Sequence, residues 1–203
     1  IDIWGVLHNG INLFPSSVSV LSEIENLKKE YILLTNAPRP NQTVIKFLKK
    51  LGLEDSKCKK VFTSGEAALN FLNSDYKGLK FFHLGPERDI DLFKLFEKNK
   101  VKKIEDCDFL LCTGLYDEYD KNLTYYEKLL KNNSSKKMIC TNPDLIVDRG
   151  NKRELCAGSV AMVFDKMGGE VVYFGKPYPE VYNQSIDNKD KKILSIGDNL
   201  NTD

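Results

Sequence analysis

Short apolar runs alternate with amphipathic stretches along this chain, and that alternation points to one architecture, a parallel sheet flanked by helices. Val20, Leu21, Ile24 and Leu27 recur at helical spacing before the run Tyr31-Ile-Leu-Leu-Thr35, which reads as a buried strand. Asn41 is placed to cap a second helix carrying Val44, Ile45, Leu48 and Leu51, with Gly52 to stop it. Lys60-Val-Phe-Thr63 follows as a strand, and Ser64 or Glu66 opens another helix through Leu72. The fold class is α/β.

The polar, turn-rich segment Asn73-Ser-Asp-Tyr-Lys-Gly78 predicts a domain boundary near Tyr76. Beyond it Lys80-Phe-Phe-His-Leu84, Phe109-Leu-Leu-Cys112 and Met138-Ile-Cys-Thr141 read as strands of a second α/β unit. Helices are expected around Ile90 to Asn99, Leu123 to Leu130 and Gly158 to Met167. Val171-Val-Tyr-Phe174 and Ile193-Leu-Ser-Ile196 return as strands. Only Ile1 precedes Asp2, and Asp203 follows a strand and turn directly, so the chain is expected to be incomplete at both ends.

Thirty basic residues oppose twenty-nine acidic ones, and the lysines are scattered, so no electrostatic footprint for nucleic acid or an anionic membrane is present. No apolar run approaches the roughly 20 residues that span a bilayer, and no signal peptide is recognisable. Five cysteines without a Cys-x-x-Cys pair signal neither a disulfide framework nor zinc; they read as packing residues of a cytoplasmic protein.

Four separated segments place polar residues just past a predicted strand, and in an open parallel sheet those ends converge on one crevice. They are Asp2, Thr35 with Asn36, Lys176, and Asp198 with Asp203. Together they supply a carboxylate nucleophile, donors for phosphate oxygens, a cation and a carboxylate pair for a hard metal, the parts phosphoryl transfer needs. Asp144, Glu87, Arg88 and Asp89 read as solvated loop residues, and His83 as a residue that lines the cleft.

Asp2-Ile-Trp-Gly-Val-Leu7, Leu33-Leu-Thr-Asn36, Gly175-Lys-Pro-x-Pro179 and Gly197-Asp-Asn-Leu-Asn-Thr-Asp203 resemble, in order and spacing, the four motifs of haloacid dehalogenase-like phosphatases. Their particular forms, with Thr141-Asn-Pro-Asp144 and Ala157-Gly-Ser159, look like the NagD-type branch, subfamily IIA. The resemblance implies a Rossmann-like three-layer core over residues 1–76 and 171–203, with an α/β cap inserted at 77–170. It implies a magnesium-dependent phosphatase acting on a small phosphorylated metabolite, a sugar phosphate or nucleotide. On this resemblance Asp2 attacks phosphorus, Thr35 and Asn36 bind the transferring group, and Lys176 neutralises nucleophile and phosphate. Asp2, Asp198, Asp203 and the backbone carbonyl of Trp4 would surround Mg2+.

Trp4 stands where that family carries its general acid and base, a group typically worth roughly 10²–10⁴-fold. His8 is near enough in sequence to be a substitute acid, although a loop histidine is more often a surface or packing residue. Trp4 therefore keeps a second function open: a phosphometabolite-binding or regulatory protein with weak or no turnover. A dinucleotide-binding dehydrogenase is disfavoured because no Gly-x-Gly-x-x-Gly follows the first strand. The substrate's identity and a homo-oligomeric state are not encoded in any readable motif.

Overall fold

The computed structural model describes residues 1–186 and 192–203. Strand β1 (Leu33–Thr35) pairs in parallel with β2 (Val61–Thr63), Leu33 opposite Val61. The amino-terminal segment runs beside β1: Asp2 bridges to Leu34, and on its other side the Asp2 N–H donates to the Ile196 carbonyl at 2.8 Å. Helices α1 (Pro15–Asn26) and α2 (Asn41–Lys50) make the crossovers. Leu21 from α1, and Val44 and Leu48 one turn apart on α2, bury themselves against Ile3, Leu33 and Val61. Pro40 rather than Asn41 caps α2; Asn41 Oδ1 instead accepts from the Thr63 N–H at 2.9 Å and ties the helix to β2.

After α3 (Ser64–Asp75), whose first turn is capped by the Thr63 hydroxyl, a second sheet begins. It contains β3 (Phe81–Leu84), β4 (Phe109–Cys112) and β5 (Lys137–Cys140), with α4 (Leu123–Leu130) between β4 and β5. An antiparallel hairpin, β6 (Ile146–Arg149) and β7 (Lys152–Leu155), leads into α5 (Ala157–Lys166) and β8 (Glu170–Tyr173). The four long-range strands are all parallel, in the order β3-β4-β5-β8. Both faces are covered, which is why β4 reads as a continuous apolar run. Leu110 and Cys112 face α4 and α5 through Tyr126, Val160 and Phe164. Phe109 and Leu111 face the other way, into a cluster with Leu34, Ala67, Leu72, Phe174 and Val181 of α6 (Pro179–Ser185). That second cluster joins the two sheets' surroundings into one packed interior.

Three expectations from sequence change here. The strand at residues 171–174 was assigned with residues 171–203 to the first body, but β8 hydrogen-bonds in register to β5 and completes the second sheet. Its run of Val171, Val172 and Tyr173 carries no information about which sheet it joins. The helix expected over 90–99 is two 3-10 segments, Glu87–Leu92 and Lys94–Asn99. Leu92 and Phe93 are both buried, Phe93 against the Phe81 ring at 5.3 Å, and the non-helical backbone of Phe93 (φ −119°, ψ 12°) and Phe96 (φ −127°, ψ 25°) interrupts any continuous α-helix here. Residues 193–196 form no strand ladder, and Ile193 and Leu194 are 60% and 79% exposed. Among the described residues no element packs over them, and the run lacks the burial that would hold it as a strand. No helix among the described residues is long and apolar enough to cross a membrane.

His83, expected to line a cleft, is buried at the end of β3. Its Nε2 is paired with the Thr113 hydroxyl at 2.9 Å, and its ring packs on Phe93 at 4.6 Å. Burial, assisted by the Lys100 charge, pushes its pKa down to about 3. The unfolded chain takes up this proton near pH 6.5 and the folded chain only near 3, so acidification through that window favours unfolding. Wild type should therefore lose stability relative to His83→Gln by roughly 1.4 kcal/mol per pH unit between these values. Paired urea melts at pH 7, 6, 5 and 4 check this; a constant difference would show that the histidine titrates normally.

Candidate active site

The ends of the Asp2 segment and β1, and the loops holding Lys176 and Asp198 to Asp203, meet at one point. Lys176 is 4% exposed and lies at the centre. Its Nζ donates to Asp2 Oδ1 at 2.6 Å and pairs with Asp203 Oδ1 as well. Burial pulls the ammonium towards its neutral form, but Asp2 and Asp203 outweigh this and raise its pKa, so it stays charged. Asp2 is 7% exposed, and burial lifts its carboxyl to about 6 against the opposing pull of Lys176. Above that value Asp2 is an ionised, poorly solvated carboxylate beside a fixed cation.

Oxygens of Asp2, Asp198 and Asp203 come within 4.8 Å of one another, and no other such acidic, histidine or cysteine group is found among the described residues. A hard divalent cation takes oxygen ligands of this kind, usually one or two carboxylates together with water and phosphate oxygens. The three carboxylates therefore fit a metal as a donor set. Gly5 explains how Asp198 reaches the first loop. Its φ is +89°, and a side-chain carbon there would fall inside the Asp198 carboxylate. Asp198 is thus packed on the peptide that follows Trp4, the residue whose carbonyl was expected to join the metal.

Gly5→Ala should displace Asp198 and so weaken any divalent cation held by the three carboxylates by about 10–100-fold, the size of effect found when a ligand's support is removed. Magnesium titration of activity measures it; an unchanged half-saturating concentration would mean that Asp198 is not a ligand.

Thr35 ends β1, one residue beyond the Leu34 that bridges to Asp2; it is buried, and its hydroxyl accepts from the Ala37 N–H at 3.2 Å. Asn36 is placed differently from the sequence expectation. Its Oδ1 accepts from the Lys176 N–H at 2.7 Å, while Nδ2 donates to the Lys176 carbonyl at 3.0 Å and to Asp144 Oδ1 at 2.8 Å. Both hydrogens of its amide are committed, so the side chain orients Lys176 and has no free donor to offer a phosphate.

His8 does not stand in as an acid. It is 2% exposed, wedged edge-on between Trp4 and Phe47, and its Nδ1 accepts from the Gly10 N–H at 2.8 Å. Burial, with the Arg149 charge, lowers it to about 4. Trp4 donates its indole N–H to the Asp148 carbonyl at 2.8 Å, and the Arg149 guanidinium lies over its ring at 4.8 Å. Trp4 thus docks the β6–β7 hairpin.

Two acidic residues that read as solvated are not. Asp89 is 3% exposed and salt-bridged to Arg39 at 3.2 Å, linking the loop after β3 to the loop after β1. Asp144 is carried to the Lys176 neighbourhood by Asn36. The only signal in sequence was its position just beyond a parallel strand, the same signal that marked the other four segments.

A family model described as haloacid dehalogenase-like hydrolase matches residues 1–97. A haloacid dehalogenase-like hydrolase from Brucella suis 1330 is 30% identical, with 91% of this chain and 70% of that one covered at a TM-score of 0.82. NagD from E. coli K-12 is 22% identical over 91% of this chain and 71% of its own, TM-score 0.65. A glycerol phosphate phosphatase from Mycobacterium tuberculosis, solved in complex with calcium, is 21% identical over 100% of this chain and 60% of its own, TM-score 0.73. No curated protein matches significantly. With this likeness and the site above, the chain belongs to the haloacid dehalogenase-like hydrolases and has the NagD-type fold.

Proposed function

We propose that this hydrolase is a magnesium-dependent phosphatase of a small phosphorylated metabolite, a sugar phosphate or nucleotide, working through an aspartyl-phosphate on Asp2. The observation that carries the reading is Lys176, buried between Asp2 and Asp203 in a cluster that also includes Asp198. A lysine so placed neutralises the nucleophile against an incoming phosphate, and the paired charges are fixed before the substrate arrives. Asp2, Asp198 and Asp203, with the Trp4 carbonyl, would hold the cation, which supplies charge neutralisation for the phosphoryl oxygens. Thr35 binds the transferring phosphoryl group. Asn36 acts through Lys176, whose main chain it grips from both sides. The structural neighbour that acts on glycerol phosphate supports a small phosphomonoester as substrate.

Residues 77–173, extended to include β8, form the cap in this reading, and the β6–β7 hairpin is its part docked nearest Trp4. Five buried free cysteines fit the reducing cytoplasm. The alternative, a phosphometabolite-binding protein with little turnover, is favoured by one observation: the Trp4 indole N–H is already committed to Asp148 and cannot protonate a leaving group.

A panel of phosphomonoesters assayed with and without magnesium, for wild type and Trp4→Asp, separates the two. Metal-dependent hydrolysis by wild type is expected. Saturable binding without hydrolysis, together with activity gained by Trp4→Asp, would transfer the case to the binding protein.

A further inference from the structure

One stretch of chain, residues 143–149, reaches from the Lys176 side of the site to the Trp4 side. Asn36 Nδ2 holds it at Asp144 Oδ1, 2.8 Å away, and the Trp4 indole holds it at the Asp148 carbonyl, also 2.8 Å away. The Asn142 side chain fixes the turn between β5 and this stretch by accepting from the Asp144 N–H at 2.9 Å. Asp144 is therefore positioned from two directions, through its backbone and through one carboxylate oxygen. The other oxygen, Oδ2, has no protein partner among the described residues and is not fully buried. Asp144 is outside the carboxylate group that would hold a metal and makes no bond to Lys176 Nζ.

We propose that Asp144 supplies the proton transfers that Trp4 cannot, as the general acid and base of this site. The inference rests on the aspartyl-phosphate reading. In the first half-reaction Asp2 forms a bond to phosphorus while the bond to the leaving oxygen breaks, and that oxygen takes the Asp144 proton and departs as an alcohol. In the second, water attacks phosphorus as Asp144 takes its proton; the bond to Asp2 breaks, inorganic phosphate leaves, and Asp144 is again protonated.

The surroundings suit a group that must work in both directions. Burial raises the Asp144 pKa, the Asn36 hydrogen bond and the Lys176 charge pull against it, and the Asp203 and Asp198 charges push with it. The net direction is upward, towards the range in which a carboxyl both gives and accepts a proton near neutral pH. The remaining ionisable groups that feel it, Cys140 and Cys156, are thiols held in their neutral form by their own burial.

Asp144→Asn is the discriminating variant because its amide oxygen can still accept from Asn36, so the structural tie survives while the acid is lost. The measurement is kcat/KM for a series of aryl and alkyl phosphates of rising leaving-group pKa, each across pH 5–9. For alkyl phosphates a loss of about 10²–10⁴-fold is expected, with much less for p-nitrophenyl phosphate, whose leaving group needs no proton. The basic limb of the pH profile should disappear with it. Asp144→Glu, which keeps a carboxyl, should keep both the wild-type leaving-group dependence and the basic limb. An equal loss with every leaving group, no loss with any, or a Glu variant as leaving-group-sensitive as the Asn variant would overturn the assignment. Asp2→Asn fails differently: if it retains wild-type turnover, the aspartyl-phosphate reading itself falls, whatever Asp144 does.

Discussion

Asp2→Asn is expected to lower kcat by at least about 10⁴-fold on every phosphomonoester while leaving the fold intact, the scale of loss seen when a covalent nucleophile is removed. The substituted amide keeps the shape of the side chain and can still accept from Lys176 Nζ, which now sits 2.6 Å from Asp2 Oδ1. What disappears is the charge and the nucleophilic oxygen. The loss should not depend on leaving group, because no later proton transfer compensates for a bond that never forms. Rapid quench with radiolabelled substrate should also trap a phosphoenzyme in wild type and none in the variant. A variant that turns over within tenfold of wild type would remove Asp2 from the chemistry.

Lys176→Met should be the most damaging single change to stability, by about 3–5 kcal/mol at neutral pH, since it strands two buried carboxylates that share one counter-charge. The Asp2 carboxyl, already lifted to about 6 by burial with Lys176 holding it down, would rise further. In the unfolded chain Asp2 ionises at its ordinary value, so the folded variant binds more protons than the unfolded one between the two pKa values. Stability is then fully present below the unfolded pKa and falls as pH rises through the folded one. The variant's deficit should accordingly shrink as pH is lowered from 7 towards 4. Chemical denaturation at several pH values tests this; a deficit under about 1 kcal/mol at pH 7 would show that the lysine is not the keystone charge its burial indicates.

Much of the architecture was legible because burial on two faces leaves a simple trace. Leu33-Leu-Thr35, Phe109-Leu-Leu-Cys112 and the stripe Val44, Leu48 each had one physical reading, and the structure places them accordingly. The β6–β7 hairpin was not legible. Ile146-Val-Asp-Arg149 and Lys152-Arg-Glu-Leu155 are mostly exposed and charged, and what holds them is pairing between strands, cross-strand ions such as Arg153 with Asp148, and the Trp4 ring. Such elements carry no period that sequence reading can detect. The same limit applies to Asp89 and Asp144: a carboxylate in a loop looks solvated until Arg39 or Asn36 arrives from a distant segment.

The sequence by itself determined the fold class, the succession of apolar strands, and the set of polar residues at the strand ends, because strand periodicity and turn chemistry are local properties of the chain. Tertiary structure decided how those residues divide their work. It committed the Asn36 side chain to the main chain of Lys176, gave Trp4 to the hairpin, buried His8 as packing, and brought Asp144 to the site. The physical reason is that a polar side chain's role is set by its partner and its desolvation, and both come from residues tens to more than a hundred positions away.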